Sequence, residues 1–239
     1  MLKLNKITEL PETAVVFDSE TTGFDPEAGD RIVELGAVKM LDGMPTNDKL
    51  HLYINPNRSV PQSAVEVHGL TTEFLSQYPS IEQVIGQFVD FVGDLPMIAH
   101  NSKFDAKFLN FELAAMGMQP YAPERYYDSI AVARRLYPGA SANLDALCKR
   151  HNISLASRDK HGALLDSELL AEVIVEMGGG RQTSLFDEFS STRSKTASKE
   201  VVKSSRDTFI RKASAEELER HAALVAKLGA DAIWNRIPA

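Results

Sequence analysis

A pair of acidic residues at the end of an apolar run is the feature that most constrains this chain. In the stretch VVFDSETTGF, Val15 to Phe24, apolar residues lead directly into Asp18 and Glu20. Because alternate side chains of a β-strand point to the same face, these two carboxylates would lie side by side. Two carboxylates this close raise each other's pKa unless a cation lies between them. The stretch therefore predicts a strand that ends in a cation-binding site.

One kind of cation site can be tested directly from the spacing. Asp18, Glu20, Thr22 and Gly23 occupy positions 1, 3, 5 and 6 of an EF-hand calcium loop, but that loop requires Glu at position 12. Here position 12 is Gly29. The calcium loop is therefore rejected, and we expect a catalytic metal site whose other ligands lie further along the chain.

The composition is that of an ordinary globular protein. The chain has 239 residues, of which 44% are hydrophobic and 25% charged, which suits one domain with an extension, or two domains. No stretch approaches the ~20 apolar residues of a membrane span, and the N-terminus lacks the apolar core of a secretory signal. A single cysteine, Cys148, excludes an intramolecular disulfide and suits a reducing compartment. We therefore expect a cytoplasmic location.

The charge is distributed unevenly along the chain. Residues 1–177 carry 15 Lys+Arg and 25 Asp+Glu, whereas residues 178–239 carry 11 and 8. Phosphate contacts dominate the binding of nucleic acid, so an acidic domain binds it poorly on its own. If this domain acts on DNA, a bound divalent metal ion or a partner protein must supply the attraction.

The first 177 residues predict an α/β domain with a mixed sheet flanked by helices. Three early strands are predicted at AVVFDS, RIVELGAVKM and DKLHLYIN, with the turn DGMPTND between the second and third. Short strands are predicted at PMIAH and RYYDS. The predicted helices cover Thr71–Gln77, Ile81–Val92, Lys103–Met116, Ile130–Leu136, Asn143–His151 and Gly162–Met177.

The last 62 residues differ in composition, and they predict a flexible tail that ends in a short helix. Residues 190–205 contain six Ser and two Thr, so residues 178–213 are interpreted as a flexible linker. Ser214 and Glu217 form a capping box that would begin a helix, and Gly229 would end it. The helix has an apolar stripe of Leu218, Ala222, Val225 and Leu228, and Trp234 follows in the terminal segment 214–239.

Two further acids interrupt apolar helical patterns. Asp105, in the first turn of a predicted helix, shares a side with Phe108 and Leu109. Asp166 is aligned with the core positions of the last helix, Leu169, Leu170 and Val173. A carboxylate on an apolar stripe is unfavourable unless it is paired or bound to metal. A structural acid or a helix cap explains either residue alone, but three such sites in one domain favour a shared metal site.

His161 is the histidine most closely associated with these acids in sequence. It precedes Asp166 by five positions, about 140° around an ideal helix, so the two residues do not share a helix face. We therefore expect His161 on the loop before the helix, where it could reach over a metal site. For His51, His151 and His221 a structural role is the favoured interpretation.

Three motifs carry a family resemblance. FDSETTG, HNSKFDAKF and HGALLD resemble the three exonuclease motifs of the DEDDh family of 3′–5′ exonucleases, which have a ribonuclease H-like fold. The similarity is strongest to members that proofread for bacterial replicative DNA polymerases, and it extends through DSIAVARRLYPG, NLDALC and, more loosely, EELERHAALV. It implies an enzyme that removes mispaired nucleotides from a DNA 3′ end and releases 5′-mononucleotides.

The resemblance also implies roles for individual residues. Four acids match the family's metal ligands and His161 matches its general base, with two divalent ions, Mg²⁺ or Mn²⁺, flanking the scissile phosphate. The implied metal ligands are Asp18, Glu20, Asp105 and Asp166. Contacts to the 3′-terminal nucleotide are implied for Asp18, Glu20, Ser63, His68 and Phe104, Ser63 standing where the compared member has Glu.

The tail implies two protein partners. QTSLF, residues 182–186, resembles the peptide by which replication proteins bind the sliding clamp (beta), with Leu185 and Phe186 as apolar anchors and Gln182 adding hydrogen bonds. The alternative is a segment that packs back on the last helix of the domain. The terminal segment 214–239 would dock on the polymerase catalytic (alpha) subunit.

Two other functions remain open at this point. A free-standing RNA or oligonucleotide exonuclease would use the same five catalytic residues, but it would have no need of a clamp peptide and a terminal anchor. A catalytically inactive scaffold between clamp and polymerase is disfavoured because all five catalytic positions are filled.

Overall fold

The structure is a computed structural model that describes residues 3–156, 158, 160–180 and 214–228. The chain divides into two compact units, Met1–Asp187 and Glu188–Ala239, and each is described here by itself. The boundaries predicted at residues 177 and 213 stay predictions.

The first unit is built on a five-stranded mixed sheet in the order β3-β2-β1-β4-β5. Strands β1 (Ala14–Thr21), β2 (Ile32–Leu41) and β3 (Met44–Tyr53) are antiparallel neighbours. Strands β4 (Met97–Ala99) and β5 (Tyr126–Asp128) join the other edge of β1 in parallel. Together with the flanking helices, this confirms the predicted α/β fold.

Among the described residues, seven α-helices of this unit surround the sheet, and one further α-helix belongs to the second unit. In chain order they are α1 (Gln62–His68), α2 (Thr72–Leu75), α3 (Ile81–Val92), α4 (Ser102–Ala115), α5 (Ser129–Leu136), α6 (Leu144–Arg150), α7 (Ala163–Met177) and α8 (Ala215–Leu228). Among these described residues, no helix is long and apolar enough to cross a membrane.

One local prediction was wrong, and one short helix was missed. The turn between β2 and β3 was predicted over seven residues, DGMPTND, but it consists of Asp42 and Gly43, both with positive φ. A two-residue turn of this kind matches the twist of a hairpin, so the residues after it already pair with β2. Helix α1 was not predicted; it is short, and it ends at Gly69, which has a φ of 80°.

The sheet is covered by helices on both faces. On one face, Ala14 and Val16 of β1 belong to a core cluster that includes residues of α5, α6 and α7. On the other face, Val15 and Phe17 belong to a cluster that includes residues of α3 and α4. A strand buried on both sides needs apolar residues at every position, which explains the unbroken run AVVF before Asp18.

Helix α8 begins with the predicted capping box. The backbone N–H of Ser214 donates to the Glu217 carboxylate (2.8 Å), and the Glu217 N–H donates to Ser214 Oγ (3.2 Å). Leu218 and Leu224 of this helix are both exposed within its own unit. Gly229 and Trp234 lie outside the described residues.

Candidate active site

Strand β1 places the first two acids near its own carboxyl end. Asp18 pairs with Gly36 and Glu20 pairs with Glu34 across the antiparallel β1–β2 ladder. Since alternate residues share a face, Asp18 and Glu20 continue the face of Val16, toward α7. Ser19 points to the opposite face, toward α4.

Helix α7 reaches this edge because β2 has a glycine where the two elements cross. A Cβ atom on Gly36 would lie 2.1 Å from the backbone nitrogen of Leu164 and 2.2 Å from the carbonyl carbon of Ala163. At the crossing, the hydroxyl of Ser167 lies 2.7 Å from the Ala163 carbonyl of α7 and 3.0 Å from the Gly36 carbonyl of β2, so it can donate to either. The first turn of α7, with Asp166, therefore lies against the strand pair that carries Asp18.

Helix α4 brings the third acid from the other face of the sheet. Asp105 lies in the first turn of α4, directly after β4, and is buried. The hydroxyl of Ser19 donates to Asp105 Oδ1 at 2.6 Å, which ties the helix to β1. Because β1 and β4 are parallel neighbours, their carboxyl ends meet at the same edge, and the acids that follow them converge there.

The four acids Asp18, Glu20, Asp105 and Asp166, called the acid cluster below, act strongly on one another. Burial raises the pKa of Asp18 well above its usual range, and the charges of the other three acids raise it further. The pKa of Glu20 is raised to about 8, first by burial and then by Glu34, Asp166 and Asp105. Burial also raises the pKa of Asp105. Carboxylates in this state hold protons near neutral pH unless a cation neutralises them.

Two acids of the cluster, together with His161, place their donor atoms closely enough to share a cation. One ligand atom each from Glu20, His161 and Asp166 lies within 4.8 Å of the others, and in the described part of the chain neither Asp18 nor Asp105 belongs to this group. Carboxylate oxygens are the donors that Mg²⁺ and Mn²⁺ prefer, and a divalent ion would offset the mutual repulsion that raises these pKa values. The chemistry of the donor set thus suits a metal centre.

His161 lies on the segment before α7, with its side chain 51% exposed. Its Nδ1 is 3.3 Å from Asp166 Oδ2. Two hydrogen bonds hold this segment against the end of α1. The backbone N–H of His161 donates to the Val67 carbonyl (3.2 Å), and the side-chain Nζ of Lys160 donates to the Glu66 carbonyl (2.6 Å). His161 therefore borders the acid cluster while remaining open to solvent.

His68, at the end of α1, has a buried hydrogen-bond donor. Its Nδ1 accepts a hydrogen bond from the Leu70 N–H at 3.0 Å, so in the neutral ring the hydrogen is on Nε2. That Nε2 is buried and makes no hydrogen bond of good geometry within the described part of the chain, although the Thr21 backbone lies close enough to raise the His68 pKa slightly against the effect of burial. Burial lowers the pKa of His68, which favours this neutral form.

An aromatic pair lies on the α4 side of the site. Phe104 of α4 contacts Phe24, with ring centroids 6.4 Å apart, and Phe108 of the core, at 5.1 Å. Phe24, in the loop after β1, is 86% exposed. Ser63, the remaining candidate substrate contact, is exposed on α1, more than a helical turn before His68.

Sequence reasoning missed two charged residues of the site. Arg158, in the loop before His161, donates from Nε and Nη2 to the two oxygens of Asp166, each at 2.6 Å. Glu34 of β2 is buried beside Glu20 and pairs with His51 Nε2 at 2.6 Å. A charge within the apolar run RIVELG was a usable signal for Glu34. No sequence pattern distinguished Arg158 from other loop cations, since its role depends on the return of the loop to α7.

The predicted clamp-binding residues, Gln182, Leu185 and Phe186, lie outside the described residues. Their role therefore stays a prediction.

Comparisons with known proteins show the family of the chain. A family model described as Exonuclease matches residues 15–174. The chain is 39% identical over 212 residues to the DNA polymerase III subunit epsilon of Rickettsia felis, covering 87% of this chain and 93% of that protein. It is 33% identical to the Escherichia coli K12 protein of the same name, covering 92% of this chain and 96% of the other.

Solved structures with the same fold include two nucleases. One is Exonuclease X in complex with 5′-overhanging duplex DNA, with a TM-score of 0.56, 25% identity, and coverage of 70% of this chain and 91% of that chain. The other is the nuclease domain of a DEDDh family member bound to rAMP, with a TM-score of 0.58, 20% identity and the same coverage of both chains.

Proposed function

The chain belongs to the exonuclease family of the DNA polymerase III epsilon subunits, and we propose that its acid cluster holds two divalent metal ions that serve 3′–5′ hydrolysis of DNA. The protein is a proofreading exonuclease of a DNA polymerase complex. One observation supports the metal assignment above all: the charges of Glu20, Asp105 and Asp166 all act on the buried Asp18, so carboxylates carried by β1, α4 and α7 are close to one another.

The ligands proposed for the ions are Asp18, Glu20, Asp105 and Asp166, and the ions are Mg²⁺ or Mn²⁺. Bound there, two such ions would activate a water molecule and stabilise the leaving 3′ oxygen. The buried acids would otherwise repel a phosphodiester, which is itself an anion. The acid cluster therefore serves to concentrate positive charge at the position of the scissile phosphate.

His161 is proposed as the general base. Its side chain is exposed beside Asp166 and Glu20, where it can accept a proton from a water molecule bound at the cluster. Base catalysis of this kind contributes roughly 10²–10⁴-fold to a rate. Because enzymes lower their barriers by ~8–23 kcal/mol in all, most of the rate enhancement must come from the acid cluster.

His68, Phe104 and Phe24 are proposed to hold the terminal nucleotide. The Nε2–H of His68 is buried, so it would donate to a hydroxyl or phosphate oxygen at the 3′ end only after the residues that cover it move. The exposed ring of Phe24, supported by Phe104, offers a face on which a base can stack, which is worth about 1–3 kcal/mol per base. Asp18 and Glu20 would contact the same nucleotide, and Ser63 is kept as a proposed contact.

The substrate proposed is a frayed or mispaired 3′ end of DNA. An acidic domain gains little from direct phosphate contacts, so the surrounding complex has to hold the duplex. The alignments with two relatives named DNA polymerase III subunit epsilon cover 87% and 92% of this chain. This similarity favours a polymerase-bound enzyme over a free-standing RNA exonuclease.

A metal-dependence experiment tests the function. A primer labelled at its 5′ end and mispaired at its 3′ end should be shortened one nucleotide at a time in Mg²⁺ or Mn²⁺, and not at all in EDTA. Because Glu20, whose pKa is raised to about 8, must lose its proton to bind metal, the rate at subsaturating metal should rise with pH up to that value.

Gel analysis of the products distinguishes the possible outcomes of this experiment. A ladder of shortened, labelled primers indicates attack from the 3′ end, whereas immediate release of labelled mononucleotide indicates attack from the 5′ end. Full activity in EDTA would refute the metal assignment. Faster degradation of an RNA primer than of the mispaired DNA would favour the trimming enzyme instead.

The clamp and polymerase contacts are proposed separately, from the sequence of the tail. Changing both Leu185→Ala and Phe186→Ala should weaken binding to the sliding clamp, because those side chains are the apolar anchors of the QTSLF peptide. Hydrolysis of free oligonucleotides should stay unchanged. Surface plasmon resonance on immobilised clamp measures the first effect.

A truncation after residue 213 serves as the matched variant. It should keep clamp binding and lose binding to the polymerase alpha subunit, if segment 214–239 is the docking element. Equal clamp affinity of the double variant and the wild type would exclude the peptide assignment.

A further inference from the structure

We infer that Arg158 is a positioning residue that competes with the divalent metal for the carboxylate of Asp166. The inference rests on the proposed assignment of Asp166 as a metal ligand. It goes beyond that assignment because it names the residue of this chain that controls access to the ligand.

The contact between the two residues is a two-pronged ion pair. Nε of Arg158 donates to Oδ1 of Asp166 and Nη2 donates to Oδ2, both at 2.6 Å. The two side chains are only 8% and 6% exposed. Bidentate arginine–carboxylate pairs are among the strongest hydrogen-bonded contacts in proteins, and here both oxygens of the proposed ligand are engaged.

The charge of Arg158 acts on the acid cluster in the way a metal ion would. The guanidinium places a fixed positive charge against both oxygens of Asp166. A divalent ion bound to an oxygen of Asp166 would lie close to the guanidinium, and two cations at such a distance repel each other strongly away from bulk water. The two cations therefore exclude each other at Asp166.

A second carboxylate offers Arg158 another partner. Nη1 donates to Oδ1 of Asp145 on α6 at 2.5 Å, and the Asp145 side chain is 47% exposed. When the Arg158 guanidinium separates from Asp166, it can remain paired with Asp145, so it does not become a buried, unpaired charge. Asp145 thus makes the exchange possible without unfolding the loop.

Nη2 of Arg158, which contacts Asp166, also contacts the proposed general base, His161. Nη2 lies 3.0 Å from Nδ1 of His161, as well as 2.6 Å from Asp166 Oδ2. If the Arg158–Asp166 ion pair breaks, both oxygens of Asp166 and Nδ1 of His161 therefore become free. Metal occupancy and the orientation of His161 are coupled through one guanidinium.

Metal affinity measured by calorimetry tests the inference. Titration of Mn²⁺ into the full chain should give a dissociation constant about tenfold lower for Arg158→Gln than for the wild type, since the competing cation is gone. Arg158→Lys keeps the positive charge but cannot form the two-pronged ion pair, so its dissociation constant for Mn²⁺ should lie between those of the wild type and Arg158→Gln. An unchanged or weaker affinity in Arg158→Gln would overturn the inference.

Arg135→Gln is the matched control. Arg135 also pairs with a carboxylate, that of Glu9, and its loss removes the same charge away from the cluster. Its affinity for Mn²⁺ should equal that of the wild type. If Arg135→Gln tightens binding as much as Arg158→Gln, the effect comes from net charge and the competition is refuted.

NMR of the arginine side chain gives a second, independent readout. In ¹⁵N-labelled protein the Nε–H resonance of Arg158 should shift when Mg²⁺ is added, as its bond to Asp166 breaks, and the resonance of Arg135 should not. An Arg158 resonance that stays fixed at saturating Mg²⁺ would show that the ion pair persists and would also overturn the inference.

The wild-type and Asp18→Asn titrations separate this inference from the proposed function. If Asp18→Asn binds Mn²⁺ as tightly as the wild type, the metal assignment itself fails, and the Arg158 inference fails with it. If Asp18→Asn binds Mn²⁺ weakly while Arg158→Gln binds it as tightly as the wild type, the metal assignment holds and the role of Arg158 is rejected.

Discussion

Asp18→Asn is expected to abolish hydrolysis of DNA 3′ ends while the metal-free protein stays at least as stable as the wild type. Asp18 is the acid on which burial and the three other cluster acids act together to raise the pKa. An amide keeps the shape of the side chain but removes the negative charge that would hold a cation. The folded protein loses a repulsion at the same step, so its thermal midpoint without metal should not fall.

The size of the effect distinguishes a metal ligand from a general base. His161→Ala should reduce the rate by roughly 10²–10⁴-fold, the usual contribution of base catalysis. Asp18→Asn should reduce it further, because the loss affects metal binding and, through it, both the attacking and the leaving oxygen. Rates at saturating Mg²⁺, measured with a 5′-labelled oligonucleotide, provide the comparison.

Asp90→Asn is the control for Asp18→Asn. Asp90 is an exposed acid of α3, so the substitution makes the same chemical change without touching the cluster. It should leave activity and metal affinity unchanged. Wild-type activity in Asp18→Asn, at a metal concentration where the wild type is saturated, would exclude Asp18 from the metal centre.

Gly36→Ala is expected to lower both stability and activity, although Gly36 has no chemical role. Its added methyl group would lie 2.1 Å from the backbone nitrogen of Leu164, so α7 would have to move away from β2. Overpacking of this kind typically costs about 1–3 kcal/mol, and more where the obstructing atoms are backbone. The displaced helix carries Asp166, so the acid cluster would open at the same time.

Gly86→Ala is the matched control for this prediction. Gly86 lies within α3, and a Cβ there would meet nothing within 4 Å. The same substitution should stabilise the protein by roughly 0.5–1 kcal/mol, because alanine is the better helix former. Urea denaturation of both variants gives the comparison, and a Gly36→Ala protein as stable and active as the wild type would contradict the crossing geometry.

The four acids show how much of the candidate site can be predicted from the sequence. Asp18, Glu20, Asp105 and Asp166 were recognisable because each interrupts an apolar pattern, and an unpaired carboxylate among apolar residues is unfavourable. The parallel pairing of β1 with β4, which brings Asp105 to Asp18, follows from the order of strands and helices but is not encoded in any one motif. The turn after β2 was misplaced because exposed positions of an edge strand lack a clear alternation.

Sequence alone determined the α/β class, the apolar core strand and the acids that interrupt it, because those features depend on local periodicity and on the energetic penalty of burying charge. Only the tertiary structure decided that α7 crosses β2 at Gly36, that Arg158 holds Asp166, and that Nε2 of His68 is buried. These contacts join residues that are distant in the chain or that lie in irregular loops. Their geometry depends on how complete elements pack, which no short stretch of sequence specifies.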